Sequence, residues 1–361
     1  MGFNCGIIGL PNVGKSTIFN ALSGATVPMD NYPFCTIEPN RGVVPVPDER
    51  LLRIAELLQK PDPIPTRIEF YDVAGLVKGA SEGEGLGNKF LGHIRDVDAV
   101  VHVVRCFHDS DVAHIAKDPD PIRDIEIVKT ELLLSDIEIL ERAKKRLERN
   151  SKGGDKGAAS KVNIIESSIK HLNSGRLLKD LDIEDEDKRL LREYGLISIK
   201  PVLYCANVDE GNSSSDEVRK VENYANNEHS GFVKISGKLE EEISELPKEE
   251  KKEFLLEMGI GDSGLDRLIR VSYQTLELIT FYTTATKLQA WTLHQGASAL
   301  EASAKIHSDF EKGFIKASVY HYNDLITEGS EAHLKEKGKL RSEGKEYIVQ
   351  DGDVIRFIFN V

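Results

Sequence analysis

The segment GLPNVGKS, Gly9 to Ser16, fits G-x-x-x-x-G-K-[ST] at every fixed position. It follows an apolar run, Phe3–Ile8, that reads as a strand, and it opens into Ser16–Ser23, which reads as the start of a helix. The spacing has a physical cause. Gly9 and Gly14 permit backbone angles that turn successive N–H groups, over Asn12, Val13, Gly14, Lys15, Ser16 and Thr17, toward one anion, and the helix N-terminus adds its dipole. Lys15 then reaches the β- and γ-phosphates, and the Ser16 hydroxyl is a hard oxygen ligand for Mg2+. An ordinary glycine turn with a surface lysine would leave the rest of this pattern without a reason.

A second signal is IEFYDVAG, Ile68–Gly75: an apolar strand ending in Asp72, with glycine three residues on. In nucleotide switches such an aspartate holds the Mg2+ shell and the glycine amide, here Gly75, senses the γ-phosphate. Taken alone it is a simple turn; downstream of a phosphate loop it completes a site. The intervening Asp30–Gly42 has prolines, asparagines and no helical period, so it reads as a loop, and Thr36 is the hydroxyl best placed to complete the metal's coordination. The other reading of Thr36 is a plain loop threonine.

Three long segments, GLPNVGKST, NYPFCTIEPN and DVAGLVKGASEGEGLGNKFL, resemble the Obg-related branch of the P-loop GTPases, and most closely its YchF-type, Obg-like ATPases. The resemblance implies an α/β fold: a Rossmann-like P-loop NTPase domain over 1–125 and 201–277, a helical coiled-coil insertion over 126–200, and a C-terminal β-grasp (TGS) domain over 278–361. GTPases of this class read guanine with N-K-x-D after a buried strand. Here the strand Pro201–Ala206 leads into Asn207-Val208-Asp209-Glu210: Val208 replaces the lysine, Glu210 stands at the aspartate position, and Asp209 comes one residue early. Unpaired guanine donors in a buried pocket cost about 1–3 kcal/mol each, enough to invert a preference. Such a departure resembles the YchF-type members, which favour ATP, so adenine is expected, with Asn207 and the Val208 backbone lining the base site and Ser236-Gly237-Lys238 as a further base loop.

Where many switch GTPases carry a glutamine, directly after the D-x-x-G glycine, this chain has Leu76, which makes no hydrogen bond to water. Histidine is the chemically reasonable substitute. His102 alternates within Ala99–Val104 and reads as structural, His93 falls on a helix, and His114, in a polar loop, is the candidate for steering the attacking water. The resemblance supports His114, and the rival reading is a solvated loop histidine. In related GTPases an asparagine at the position of Asn12 coordinates K+, which makes K+ a second candidate cation; a purely structural Asn12 is the alternative.

Residues 126–150 carry Ile and Leu at helical spacing with dense charge outside, a KGGDKG turn follows, and a second helix runs from about Ala158 to Asn173, together an antiparallel arm. Its basic stretch Arg142–Lys161 is a candidate for RNA phosphates, against a solvated helix face with interspersed acids. Near the C-terminus, AWTLHQGASA, DFEKGFIKASV and YIVQDGDVIRFIFNV resemble a TGS domain, and Tyr347–Val349 and Val354–Phe359 read as a strand pair. A net charge of −13 argues against coating nucleic acid through overall charge, and no DNA specificity is expected. Four scattered cysteines without a CxxC pair, no apolar run near the ~20 residues of a membrane span and no signal peptide point to a cytoplasmic monomer. The expectation is a Mg2+-dependent ATPase acting as a nucleotide switch on the ribosome, through its large subunit, or on RNA. The alternatives are a translation GTPase and a nucleotide-holding ribosome- or RNA-binding protein with vestigial hydrolysis.

Overall fold

The computed structural model describes residues 3–24, 40–73, 86–108, 120–151, 156–209, 215–258 and 261–360. It divides into two compact units, one of Phe3–Val43 and Glu69–Thr275, the other of Val44–Ile68 and Leu276–Val361.

The first unit is wound on the strands β1 (Phe3–Ile8), β2 (Arg41–Pro45), β3 (Arg67–Asp72), β4 (Ala99–Cys106), β5 (Val202–Val208) and β6 (Gly231–Ile235), ordered β2-β3-β1-β4-β5-β6. The pairs β1–β4, β4–β5 and β5–β6 are parallel. Every residue of β4 and β5 is buried, as expected of central parallel strands covered on both faces. Register aligns Ile8 with His102, His102 with Tyr204, and Asn207 with Ile235, so the loops leaving β1, β5 and β6 emerge along one edge. That edge, at the carboxyl ends of the strands, is where open α/β sheets bind ligands. The phosphate loop enters α1 (Lys15–Gly24) there.

The helix α3 (Leu86–Arg95) precedes β4 and carries His93, as expected. The arm is α4 (Pro121–Ser151) and α5 (Lys156–Asn173). The first helix starts earlier than its apolar period suggested, because Pro121 sits at the first helical position, where a missing N–H costs nothing. Lys144 bridges the two helices to Glu166 at 2.6 Å. At the base of the arm, Lys129 Nζ reaches the Tyr224 hydroxyl on α7 (Asp216–Asn227) at 3.3 Å and Glu228, the residue capping that helix, at 3.1 Å. The fully buried Asp136 accepts from the amides of Ile197 and Ser198 at 3.0 and 2.7 Å, pinning the returning chain beyond the short helix α6 (Asp185–Arg192). The unit closes with α8 (Gly237–Glu245), α9 (Lys248–Glu257) and α10 (Gly264–Thr275). The helix α10 stops at Thr275, and Glu277 at φ 51° breaks the helical path before β7.

The second unit holds β7 (Leu278–Thr283), β8 (Gln289–His294), β9 (Phe314–His321), β10 (Arg341–Glu343) and β11 (Asp353–Phe359), ordered β10-β9-β11-β7-β8. The helix α2 (Glu49–Leu57) belongs to it: Leu51 and Ile54 pack with Tyr282, Tyr320 and Leu325, and Arg50 meets Asp351 at 2.7 Å. The expected pairing of Tyr347–Val349 with Val354–Phe359 is not formed. β11 pairs antiparallel with β9 and parallel with β7, and Ile348 makes only an isolated bridge to Ser298. The cause is Asp353, a buried carboxylate that accepts from the Gln350 amide at 2.9 Å and the Tyr347 hydroxyl at 2.8 Å, closing the turn on itself instead of extending a ladder. Among the described residues, no helix is long and apolar enough to cross a membrane.

Candidate nucleotide-binding site

The phosphate loop is held by conformation and by close approach. Gly9, Asn12 and Gly14 lie at φ 151°, 60° and 91°. A Cβ on Gly9 would come within 2.5 Å of the Val103 carbonyl, and one on Gly14 within 2.1 Å of Asn207 Nδ2. Gly14 therefore answers two needs, the turn of the anion cradle and the passage of a side chain from β5. Spacing alone pointed only to the first.

Lys15 is buried, and its ammonium donates to the Leu10 carbonyl at 2.7 Å, folded back over the loop. Burial lowers its pKa, and the nearby Asp72 partly opposes that shift. Asp72 behaves conversely: burial raises its pKa, against the pull of Lys15 and of the Ser16 hydroxyl. Ser16 Oγ stands 3.4 Å from Asp72 Oδ2, at the end of β3. The other oxygen, Oδ1, is buried with no hydrogen-bond partner among the described residues. A hydroxyl beside a carboxylate with an unused oxygen is the donor set of a hard divalent cation that keeps most of its shell for water and phosphate. The residues present thus fit Mg2+. Among the described residues no group of three or more His, Cys, Asp or Glu could hold a metal by itself, so such a cation would depend on nucleotide oxygens.

Asn207 joins three segments. Its Nδ2 donates to the Val13 carbonyl at 3.0 Å, and its Oδ1 accepts from the Gly237 amide at 3.0 Å. Both ends of the side chain are spent on backbone, so Asn207 ties the phosphate loop to the Ser236-Gly237 loop at the start of α8. Ser236 is half-buried at the N-cap, where its hydroxyl makes no capping bond, and Val208 is buried at the end of β5. Thr17 lies beside the same junction, since a Cβ on Gly237 would meet its methyl at 3.5 Å. Asp209 is engaged by the backbone: its Oδ2 accepts from the amide of His108, at 3.2 Å. The base-reading motif offers no signal for that contact, which comes from the end of the neighbouring strand.

His102 is buried on β4, with its ring 5.6 Å from that of Tyr204. Burial, helped by the charge of Lys15, pushes its pKa down to about 3, so it is a neutral core ring, in keeping with the structural reading. His93 and His108 are exposed. Thr36, Gly75, Leu76, His114 and Glu210 lie outside the described residues. The structure thus brings together Asn12 through Thr17, Asp72, Asn207, Val208 and Ser236.

Comparison with known proteins matches both ends of the chain. Residues 4–140 match a family model described as a 50S ribosome-binding GTPase, and residues 278–360 match YchF-GTPase_C, described as a protein of unknown function. The chain is 48% identical over 366 residues to the ribosome-binding ATPase YchF of Escherichia coli O157:H7, and 47% identical over 366 residues to that of Bacillus subtilis, with 100% of each chain covered. A solved structure, that of the Schizosaccharomyces pombe YchF GTPase, superposes with a TM-score of 0.88 at 32% identity, covering 99% of this chain and 98% of that one. A phosphate loop tied to the base loop through Asn207 and matched from end to end by these relatives leaves one assignment: the chain belongs to the YchF family.

Proposed function

We propose that this chain is a Mg2+-dependent, ribosome-binding nucleoside triphosphatase that prefers ATP to GTP and works as a switch. The observation that carries the nucleotide preference is the engagement of Asp209. Its carboxylate accepts from the His108 amide, so the acid one residue before the guanine-reading position is turned to the protein backbone, and the longer Glu210 is left at that position. With Val208 in place of the lysine, guanine loses both its ring cover and its paired acceptor. The relatives' names supply the ribosome.

The chain's own groups supply the binding chemistry. Loop amides cradle the phosphates, and Lys15 exchanges the Leu10 carbonyl for a phosphate oxygen, a stronger, charged acceptor. Ser16 and Asp72, with Thr36, are the ligands offered to Mg2+, which when bound neutralises charge on the transferring phosphoryl group. His114 orients the attacking water in this reading, Gly75 senses the γ-phosphate and Asn12 serves K+. The working parts in this reading are the nucleotide domain (1–125 and 201–277, apart from 44–68, which pack in the second unit), the arm (126–200) and a TGS domain (278–361), in a cytoplasmic monomer.

Competition of ATP and GTP for the purified chain tests this directly. ATP is expected to bind at least tenfold more tightly. GTP held tenfold more tightly than ATP would overturn the adenine assignment. Sedimentation with ribosomes in the presence of a non-hydrolysable ATP analogue tests the partner: Lys15→Ala should lose the nucleotide-dependent part of the association, and an unchanged profile together with intact cell function would leave a binding protein without a switch.

A further inference from the structure

At the far side of the first unit from β2, the sheet ends in β6, and a cavity of about 560 Å3 lies against that strand between α7 and α10. The two helices cover opposite faces. A Cβ on Gly231 would meet Val271 and Thr275 of α10, whereas Tyr204, in register with Phe232, packs its ring 5.5 Å from Tyr224 of α7. The apolar floor therefore has two sides, Val218 with Phe232 under α7 and Val233 with Val271 under α10.

The rim is cationic. Arg219, Lys234, Arg267 and Arg270 line it, with Glu222 as the one acid among the lining residues. Further acids stand behind the rim: Asp216 pairs with Arg219, Asp262 accepts from Arg270 at 2.8 and 2.9 Å, and Asp266 and Glu240 lie within electrostatic reach of Arg267. The lining itself carries four cations to one acid, in a chain whose net charge is −13. Exposed pairs of this kind are weak and exchange readily for another carboxylate. One backbone group is also turned into the cavity: the Lys234 carbonyl, 3.5 Å from Arg267 Nη2, whose partner nitrogen Nη1 donates to the Asp262 carbonyl at 2.7 Å.

We propose that this trough receives an extended acidic segment of another polypeptide, added as a strand beside β6. A neighbouring strand sits about 4.7–4.9 Å away, in the space between the two helices, and its alternate side chains would face the arginines of α7 and of α10 in turn. A small-molecule pocket is the poorer match, because ligands of open α/β sheets bind beyond the carboxyl ends of the strands and this cavity lies beside the middle of β6. Single-stranded nucleic acid uses a row of aromatic stacking faces, and the lining residues here include one ring, Phe232.

The test uses the full chain and three probes: a short fluorescent peptide alternating glutamate and valine, its lysine–valine counterpart, and oligouridylate. The acidic peptide should bind saturably and slow amide exchange at Phe232–Lys234. Arg219→Glu, and separately Arg267→Glu with Arg270→Glu, should each weaken it about tenfold while nucleotide hydrolysis is retained. Arg219 is 68% exposed at its side chain, so its reversal leaves the fold intact even where the α10 pair does not. The proposal fails if the acidic peptide does not saturate, if the lysine peptide binds equally, if oligouridylate displaces the peptide, or if Arg219→Glu leaves the affinity unchanged.

Discussion

The two halves of the candidate site are built by different means. The phosphate half is made of backbone: two glycines at positive φ, a helix N-terminus and a lysine returned to the loop at 2.7 Å. Its geometry follows from residue types at fixed spacing. The base half is made of side chains lent between loops: Asn207 to Val13 and Gly237, Asp209 to His108. The first can be read from one segment. The second depends on which strands become neighbours, so the same residue types admit more than one role.

The largest expected effect falls on the phosphate half. Lys15→Ala removes the ammonium that the proposed reading transfers from the Leu10 carbonyl to a phosphate oxygen, and steady-state hydrolysis should drop by about 10²–10³-fold, the scale of deleting a single transition-state charge partner. Retained hydrolysis would mean that the cradle works without it, and the contrast between the halves would collapse.

Asn207→Ala separates a strut from a base reader. Both amide ends are bonded to buried backbone, so the truncation orphans the Val13 carbonyl and the Gly237 amide, at about 1–3 kcal/mol each. Chemical denaturation should register a loss of about 2–4 kcal/mol, and ATP and GTP affinities should fall together. A loss confined to one nucleotide would show that Asn207 discriminates bases and is not mainly a brace.

The next test acts on the base half alone. Val208→Lys with Glu210→Asp rebuilds the guanine-reading spacing and should move the GTP-to-ATP affinity ratio about tenfold toward GTP, leaving the phosphate contacts untouched. No movement in the ratio, measured by competitive titration, would place discrimination elsewhere.

Much of the first unit was legible because its signals are local. The run Phe3–Ile8 is β1, and the apolar stretches at Ala99 and Pro201 are β4 and β5 within a residue or two, as are both arm helices apart from the early start at Pro121. The second unit was less so. Nothing near Leu51 announces that α2 will pack against Tyr282, or that Asp48 will accept the hydroxyl of a tyrosine 234 positions away. The Tyr347–Val349 pairing failed for the same kind of reason, a buried carboxylate at Asp353 that alternation does not reveal. In the site, Gly14 was legible as an anion turn and illegible as the clearance for Asn207.

The smallest effect concerns His102, which lies beneath the phosphate half and carries no charge there. Its folded pKa of about 3 lies below the ordinary histidine value of 6.5. Between those values the unfolded chain binds a proton that the folded chain refuses, so this group's stability contribution is complete above pH 6.5 and is lost as pH falls, by about 1.4 kcal/mol per pH unit. Asp72, raised by burial, works with the opposite sign, as does the buried Asp136, so the total acid profile does not isolate the histidine. The difference between wild type and His102→Leu does, because the leucine keeps an apolar side chain between the strands and removes the proton site. Over pH 6.5 to 5.5 the wild type should lose about 1 kcal/mol more than the variant in urea denaturation, whatever their offset at pH 8. Parallel curves would mean that His102 accepts a proton in the folded state. A cation would then stand under Lys15, and the phosphate half would owe part of its charge to a side chain from the neighbouring strand, as the base half does.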